Sequence, residues 1–176
     1  NGQESGFKEL PDTSQLCFDK DASYVHMTSN ETIQGIQYHQ EPDTGDTPLV
    51  CDASSDFLSR PIDISRYGLI FACAQKNAGP AGVTIVILRN ELLERSQESL
   101  PGYLNYQNHA SNESRYNTPP TFAIYMLDLV CQWLEEEMGG LAGIARVNEE
   151  KARLLYDLLD NSEGFYRPHA MPAARS

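Results

Sequence analysis

Leu69-Ile70-Phe71-Ala72-Cys73-Ala74-Gln75-Lys76-Asn77-Ala78-Gly79-Pro80-Ala81-Gly82 carries the strongest pattern in the chain. The apolar run 69–74 predicts a buried strand. It stops at a lone lysine, Lys76, and a Gly/Pro-rich turn follows. A second apolar, β-branched run, Val83-Thr84-Ile85-Val86-Ile87-Leu88, predicts the next strand. An ammonium is costly to desolvate, so a lysine ending a buried strand is unusual. Two readings stand. The side chain snorkels from the strand end into solvent, or it is an amine whose pKa is lowered by desolvation so that it can form a Schiff base.

Upstream, Leu49-Val50-Cys51 is a shorter apolar run that ends at Asp52. Before it, Tyr24-Val25-His26-Met27-Thr28 is β-rich, Ser29-Asn30-Glu31-Thr32 breaks it, and apolar/polar alternation resumes over 33–38. Residues 41–48 read as a turn or loop, and 53–60 as a polar connection, with Pro61 barring a helix across it. Downstream, 91–95 starts a short helix or turn, and 96–117 is a long polar stretch with no periodicity. Thr118-Pro119-Pro120-Thr121 opens a helix, the threonine as cap and the prolines in the first turn. Phe122, Tyr125, Met126, Leu129, Val130, Trp133 and Leu134 follow at helical spacing, and Gly139-Gly140 ends the helix. A second helix covers 141–159 and stops at Asn161-Ser162-Glu163-Gly164. Strands first and helices last, with strands buried on both faces, predict an α/β fold: a mostly parallel sheet flanked by helices.

The chain has 176 residues, enough for one domain with a real core. Its net charge of −12 argues against a nucleic-acid or anionic-membrane partner, since both need a basic surface. No apolar run approaches the length that spans a bilayer. Cys17, Cys51, Cys73 and Cys131 are widely spaced with no C-x-x-C pair, which predicts reduced, mostly buried thiols in a cytosolic protein. A zinc site needs clustered ligands, and the sequence holds none. Asn1-Gly2-Gln3-Glu4-Ser5 has neither a signal-peptide pattern nor an initiator methionine, so the natural start is expected upstream.

Asp52 and Lys76 each sit just past an apolar strand. If those strands are parallel neighbours, both side chains emerge at the sheet edge where open α/β sheets bind ligands. A carboxylate and an amine so placed suit pyridoxal phosphate, the lysine holding its carbonyl carbon and the aspartate its pyridine nitrogen. A structural Asp–Lys ion pair at a strand end would give the same spacing.

Five segments carry a resemblance: Ser29-Asn30-Glu31-Thr32-Ile33, Asp52-Ala53-Ser54-Ser55, Ser59-Arg60-Pro61, Ala74-Gln75-Lys76-Asn77-Ala78-Gly79-Pro80-Ala81-Gly82 and Tyr116-Asn117-Thr118-Pro119-Pro120-Thr121. In order and spacing they resemble the phosphoserine aminotransferases, class V members of the fold-type-I pyridoxal-phosphate enzymes. The resemblance implies that Lys76 is the Schiff-base lysine and Asp52 the partner of the pyridinium. It implies that Thr32 hydrogen-bonds the ring's phenolic oxygen and that Gln75 contacts the cofactor phosphate. It further implies that Asn117 and Thr118 reach the phosphate of the other subunit's cofactor in a homodimer with shared active sites. Thr118 as a plain helix cap stands beside that reading. The chain departs from the family at Cys73, where a small glycine is common.

On this resemblance the chain is the middle of a longer enzyme. Residues 1–160 are expected to be part of the cofactor-binding large domain, and 161–176 the start of a truncated small domain. The expected reaction is transamination between glutamate and 3-phosphohydroxypyruvate, giving O-phosphoserine and 2-oxoglutarate in serine biosynthesis. A phosphorylated hydroxythreonine in pyridoxine biosynthesis is a further implied substrate. The rivals are a class V aminotransferase acting on an unphosphorylated oxo acid, and a catalytically inactive fragment. Of the histidines, only His109, in the long polar stretch, is expected near a partner's active site.

Overall fold

The structure, a computed structural model, describes residues 2–176. The elements run β1 (Val25–Thr28), β2 (Asn30–Glu31), β3 (Ile36–Gln37), β4 (Leu49–Asp52), β5 (Leu69–Cys73), β6 (Thr84–Leu88), α1 (Asn90–Glu94), α2 (Tyr106–Ser111), α3 (Thr121–Glu136) and α4 (Gly140–Asp160). β1, β4, β5 and β6 form one sheet in that order, and β2 and β3 form a separate hairpin. β1, β4 and β5 are mutually parallel, and β6 runs antiparallel to β5. The link 74–83 is shorter than the dozen or so residues a parallel crossover needs, so β6 can only fold straight back.

Met27, Leu49, Cys51, Ala53, Tyr67, Ile70 and Ala72 form the main core, with Leu49, Cys51 and Ile70 nearly inaccessible. Burial on both faces holds for the centre of the sheet and fails at its edge. β6 alternates exposed and half-buried residues, and Val86 is exposed. The thiols also depart from expectation. All four cysteines are free, but only Cys51 is buried, and Cys17 is exposed. Likewise the alternation read over 33–38 yields only the short strand β3, because Ile33 lies 93% exposed in the hairpin turn.

The polar stretch 96–117 is not structureless. It holds α2 and a short 3-10 turn at Gly102–Leu104. Buried Asn105 organises it: its Oδ1 caps α2 by accepting from the Gln107 amide at 2.9 Å and also accepts from Ser96 Oγ at 2.8 Å. Caps carry this segment rather than an apolar stripe, so hydrophobic periodicity gives no sign of it.

Thr118 is not a helix cap. α3 begins at Thr121 with Pro120 in the capping position, and no side chain caps it. A residue before proline is disfavoured in the helical region, so Thr118 and Pro119 stay outside the helix, which starts only after the second proline. At its other end α3 stops at Glu136, and Gly139, with φ +72°, turns the chain into α4, whose first residue is Gly140. α3 and α4 pack on each other but bury little: Ala123 and Leu134 on the first, Gly143 and Ile144 on the second. Phe122, Tyr125, Leu154 and Leu158 are exposed. The C-terminal segment folds back on the start of the chain. Ala170 and Ala174 pack with Ile36, Arg175 bridges to Ile36, and Arg175 forms a bidentate pair with Asp160 while lying over the Tyr156 ring.

Candidate active site

Three parallel strands end at one edge of the sheet, where Thr28, Asp52 and Phe71 stand in register. From that line each strand delivers one polar residue. β1 runs through Ser29 into the β2–β3 hairpin, whose turn holds Thr32. β4 ends on Asp52 itself. β5 runs into a tight turn in which the Ala78 and Gly79 amides both donate to the Ala74 carbonyl, at 3.1 and 2.9 Å. Ala74 and Ala78 are buried, so the turn is pinned at both ends while Gln75, Lys76 and Asn77 between them face outward. Gly82 closes the loop with φ +110°, a conformation side-chain-bearing residues rarely adopt.

The expectation of parallel neighbours therefore holds, and the structure brings Thr32, Asp52 and Lys76 to one edge. Lys76 Nζ donates to Thr32 Oγ1 at 2.6 Å, a contact between residues 44 apart in sequence. Thr32 Oγ1 in turn shares a hydrogen bond with Ser55 Oγ. Asp52 Oδ1 accepts from the Ser54 amide at 2.9 Å, and among the described residues nothing bonds Oδ2. Ser54 Oγ accepts from the Cys73 amide at 3.1 Å, and Asn77 Nδ2 donates to the Phe57 carbonyl at 2.7 Å, so the turn after β4 is sewn to the turn after β5.

The Asp–Lys ion pair read as a rival at the sequence level is not formed, because Lys76 bonds the threonine and not the aspartate. Nor is the lysine desolvated. Lys76, Thr32 and Gln75 are all exposed, and Asp52 is half-buried. Gln75 lies beside Lys76 in the same turn with no hydrogen-bond partner among the described residues. Asn117 and Thr118 are exposed and bond to none of these groups; Asn117 Nδ2 donates only to the Thr118 carbonyl, at 3.3 Å. Asn117 instead borders a cavity of about 570 Å³ shared with Thr84, Tyr106 and His109. His109 packs edge-on between Tyr103 and Tyr116.

Chemically, the edge offers a primary amine with two N–H positions uncommitted, a hydroxyl beside it, and a carboxylate with one free oxygen. That set can hold a carbonyl carbon, an adjacent ring oxygen and a protonated ring nitrogen. Sequence reasoning gave no role to two residues that frame it, Ser55 and Asp56. Their signal was the run of four polar or small residues directly after β4, 53–56, which looks the same for a solvated turn.

The chain as a whole is similar to known proteins. A family model described as aminotransferase class-V matches residues 2–176. The chain is 53% identical over 174 residues to a phosphoserine aminotransferase of Rhodopirellula baltica, which covers 98% of this chain and 46% of that protein. It is 52% identical to the phosphoserine aminotransferase of Lysinibacillus sphaericus, over 99% of this chain and 48% of the relative. Among solved structures, the phosphoserine aminotransferase of Bacillus circulans subsp. alkalophilus matches with a TM-score of 0.96 at 48% identity, over 99% of this chain and 48% of that one. A PLP-bound phosphoserine aminotransferase from Trichomonas vaginalis matches with a TM-score of 0.88 at 43% identity, over 96% of this chain and 49% of that one. The chain spans about half the length of the curated relatives it matches.

Proposed function

The chain belongs to the aminotransferase class-V family, and from that premise we propose that it forms the central part of a pyridoxal-phosphate-dependent phosphoserine aminotransferase. The observation that carries the reading is the convergence of Lys76, Thr32 and Asp52 at one sheet edge, with Lys76 Nζ 2.6 Å from Thr32 Oγ1. The residues fit the cofactor: the unpartnered Asp52 Oδ2 is an acceptor waiting for a donor, and a protonated pyridine nitrogen is such a donor. When bound, pyridoxal phosphate would supply the electron sink that stabilises negative charge at the substrate's α-carbon.

In this reading Lys76 Nζ would hold the cofactor carbonyl carbon and, as a free amine, would take the proton from the substrate's α-carbon. It must be neutral at that moment, which requires cover that the exposed lysine of this chain does not have by itself. Thr32 Oγ1 orients the amine and donates to the ring oxygen. Asp52 keeps the ring nitrogen protonated, Gln75 contacts the cofactor phosphate, and Asn117 and Thr118 reach the phosphate of a partner subunit in a cytoplasmic homodimer. Residues 1–160 then belong to the cofactor-binding large domain and 161–176 open the small one. The substrates are glutamate and 3-phosphohydroxypyruvate, a choice supported by the names of relatives near 50% identity.

Borohydride reduction of the complete, cofactor-loaded protein, followed by peptide mapping, tests the core of this reading. The pyridoxyl label is expected on Lys76, and a label on Lys20 or Lys151 overturns it. Turnover of pyruvate as fast as of 3-phosphohydroxypyruvate would favour the unphosphorylated-substrate alternative. The exposure of Lys76, Thr32 and Gln75 favours a second statement about the isolated 176 residues: they are inactive in transamination by themselves.

A further inference from the structure

Thr32 has no core of its own to hold it. It sits in a turn between two strands of two residues each, beside Ile33, which is 93% exposed. A hairpin that short is marginal in water. Ile36, buried against Ala170 and Ala174, anchors one arm. Yet the Thr32 hydroxyl lies within hydrogen-bond reach of Lys76, so something else must set the turn's position.

The turn after β4 does it from two sides. Ser55 Oγ bonds Thr32 Oγ1 directly. Asp56, its side chain 9% exposed, grips both flanks of the hairpin. One carboxylate oxygen accepts from Ser29 Oγ, just before β2, and the other accepts from Gln37 Nε2 in β3 at 3.0 Å. Arg60, four residues on, lies 4.0 Å from Asp56 Oδ2 and donates to the Tyr38 carbonyl, just after β3, at 3.0 Å. The flanks are also tied to each other, Tyr38 N donating to the Ser29 carbonyl at 2.8 Å. Arg60 Nε is buried and has no hydrogen-bond partner among the described residues, so the guanidinium holds its place through Tyr38 and Asp56.

We propose that Ser55 and Asp56 are positioning residues for the cofactor's phenolic oxygen, acting through Thr32: Ser55 orients the threonine hydroxyl, and Asp56 with Arg60 clamps the hairpin that carries it. The inference rests on the cofactor reading above. It assigns the turn 53–56 a task in setting the protonation of the bound cofactor, beyond joining two strands.

The test uses the complete, cofactor-loaded protein and follows the visible absorbance of the bound cofactor as pH is varied. A ring oxygen deprived of its donor holds a proton to higher pH. Thr32→Val therefore raises the midpoint. Ser55→Ala and Asp56→Asn are each expected to raise it by about half a pH unit when Thr32 is present, the worth of one weakened hydrogen bond. Combined with Thr32→Val, neither should move it further. Equal shifts with and without the Thr32 hydroxyl, or no shift in either case, overturn the inference. If Asp56→Asn does not fold, Ser55→Ala decides alone, since it removes one oxygen from a surface turn. If Thr32→Val itself leaves the midpoint unmoved, the Thr32 role and the inference fall together, whereas a Thr32 effect without a Ser55 effect sinks the inference alone.

Discussion

Asp52 and Cys51 are consecutive residues of one strand, and their alternating directions give them opposite fates. Asp52, half-buried, keeps one carboxylate oxygen free at the sheet edge. Asp52→Asn keeps the size and the acceptor for the Ser54 amide but cannot hold a ring nitrogen protonated. In the complete enzyme it is expected to lower kcat by roughly tenfold to a hundredfold, the worth of one charge-assisted hydrogen bond, with little change in Tm. Near-normal kcat would show that Asp52 is only a turn residue. Cys51 faces the core, 1% exposed, and burial pushes its thiol from 9.0 up to about 12. A folded-state value above the unfolded one means the neutral thiol contributes stability fully below pH 9.0 and loses it as pH rises toward about 12. Stability should fall over that window by up to roughly 1 kcal/mol per pH unit. Tyr67, also raised, first by burial and then by its hydrogen bond to Glu41, adds to the alkaline loss. Denaturant titrations of Cys51→Ala are expected to show a shallower alkaline slope than the wild type, whatever the cavity costs at neutral pH. An unchanged slope would remove Cys51 from the account.

Elements in this chain are often fixed by one close approach. Gly143 in the first turn of α4 is such a point, because a Cβ there would lie 1.7 Å from the Met138 carbonyl oxygen. Alanine is the better helix former by about 1 kcal/mol, yet the clash is with backbone and has no flexible tip to absorb it. Gly143→Ala should lower stability by about 1–3 kcal/mol, the usual cost of overpacking, and a rise in Tm would refute the close approach. Hydrophobic pattern exposed much of this layer: β4, β5 and β6 stand where apolar runs ended at Asp52, Lys76 and Arg89. Lys76 and Asp52 were readable as partners of one site because each lay just past such a run. The pattern was silent where polar side chains make the structure. Asn105 builds α2 from caps, Pro119 and Pro120 delay α3, and Asp56 knits a hairpin from residues that would look identical in a solvated turn. The lysine's exposure was equally unreadable, since burial at a strand end depends on neighbours that a local window does not contain.

At the scale of the whole molecule, the proposal that Asn117 and Thr118 act on a cofactor requires a second subunit, because they do not touch the edge that holds Thr32, Asp52 and Lys76. They precede α3 on a non-helical segment, and among the described residues no hydrogen bond joins either to Thr32, Asp52 or Lys76. The segment leading to them carries Tyr103 and Leu104, each about two-thirds exposed, as a surface that could meet a second subunit. The proposal that they act in trans makes a sharp prediction about mixtures. Complete subunits carrying Lys76→Ala are inactive because the amine is gone. Complete subunits altered at both Asn117 and Thr118 are expected to lose cofactor grip and most activity. When the two populations exchange subunits, shared sites place both defects in one active site of the hybrid and neither in the other. Mixtures should then regain activity, approaching one competent site per hybrid dimer, and the regain should track the hybrid fraction measured by mass. If the segment serves its own subunit, every site in the hybrid keeps one defect. Absence of recovery despite measured exchange would therefore return Asn117 and Thr118 to their own chain.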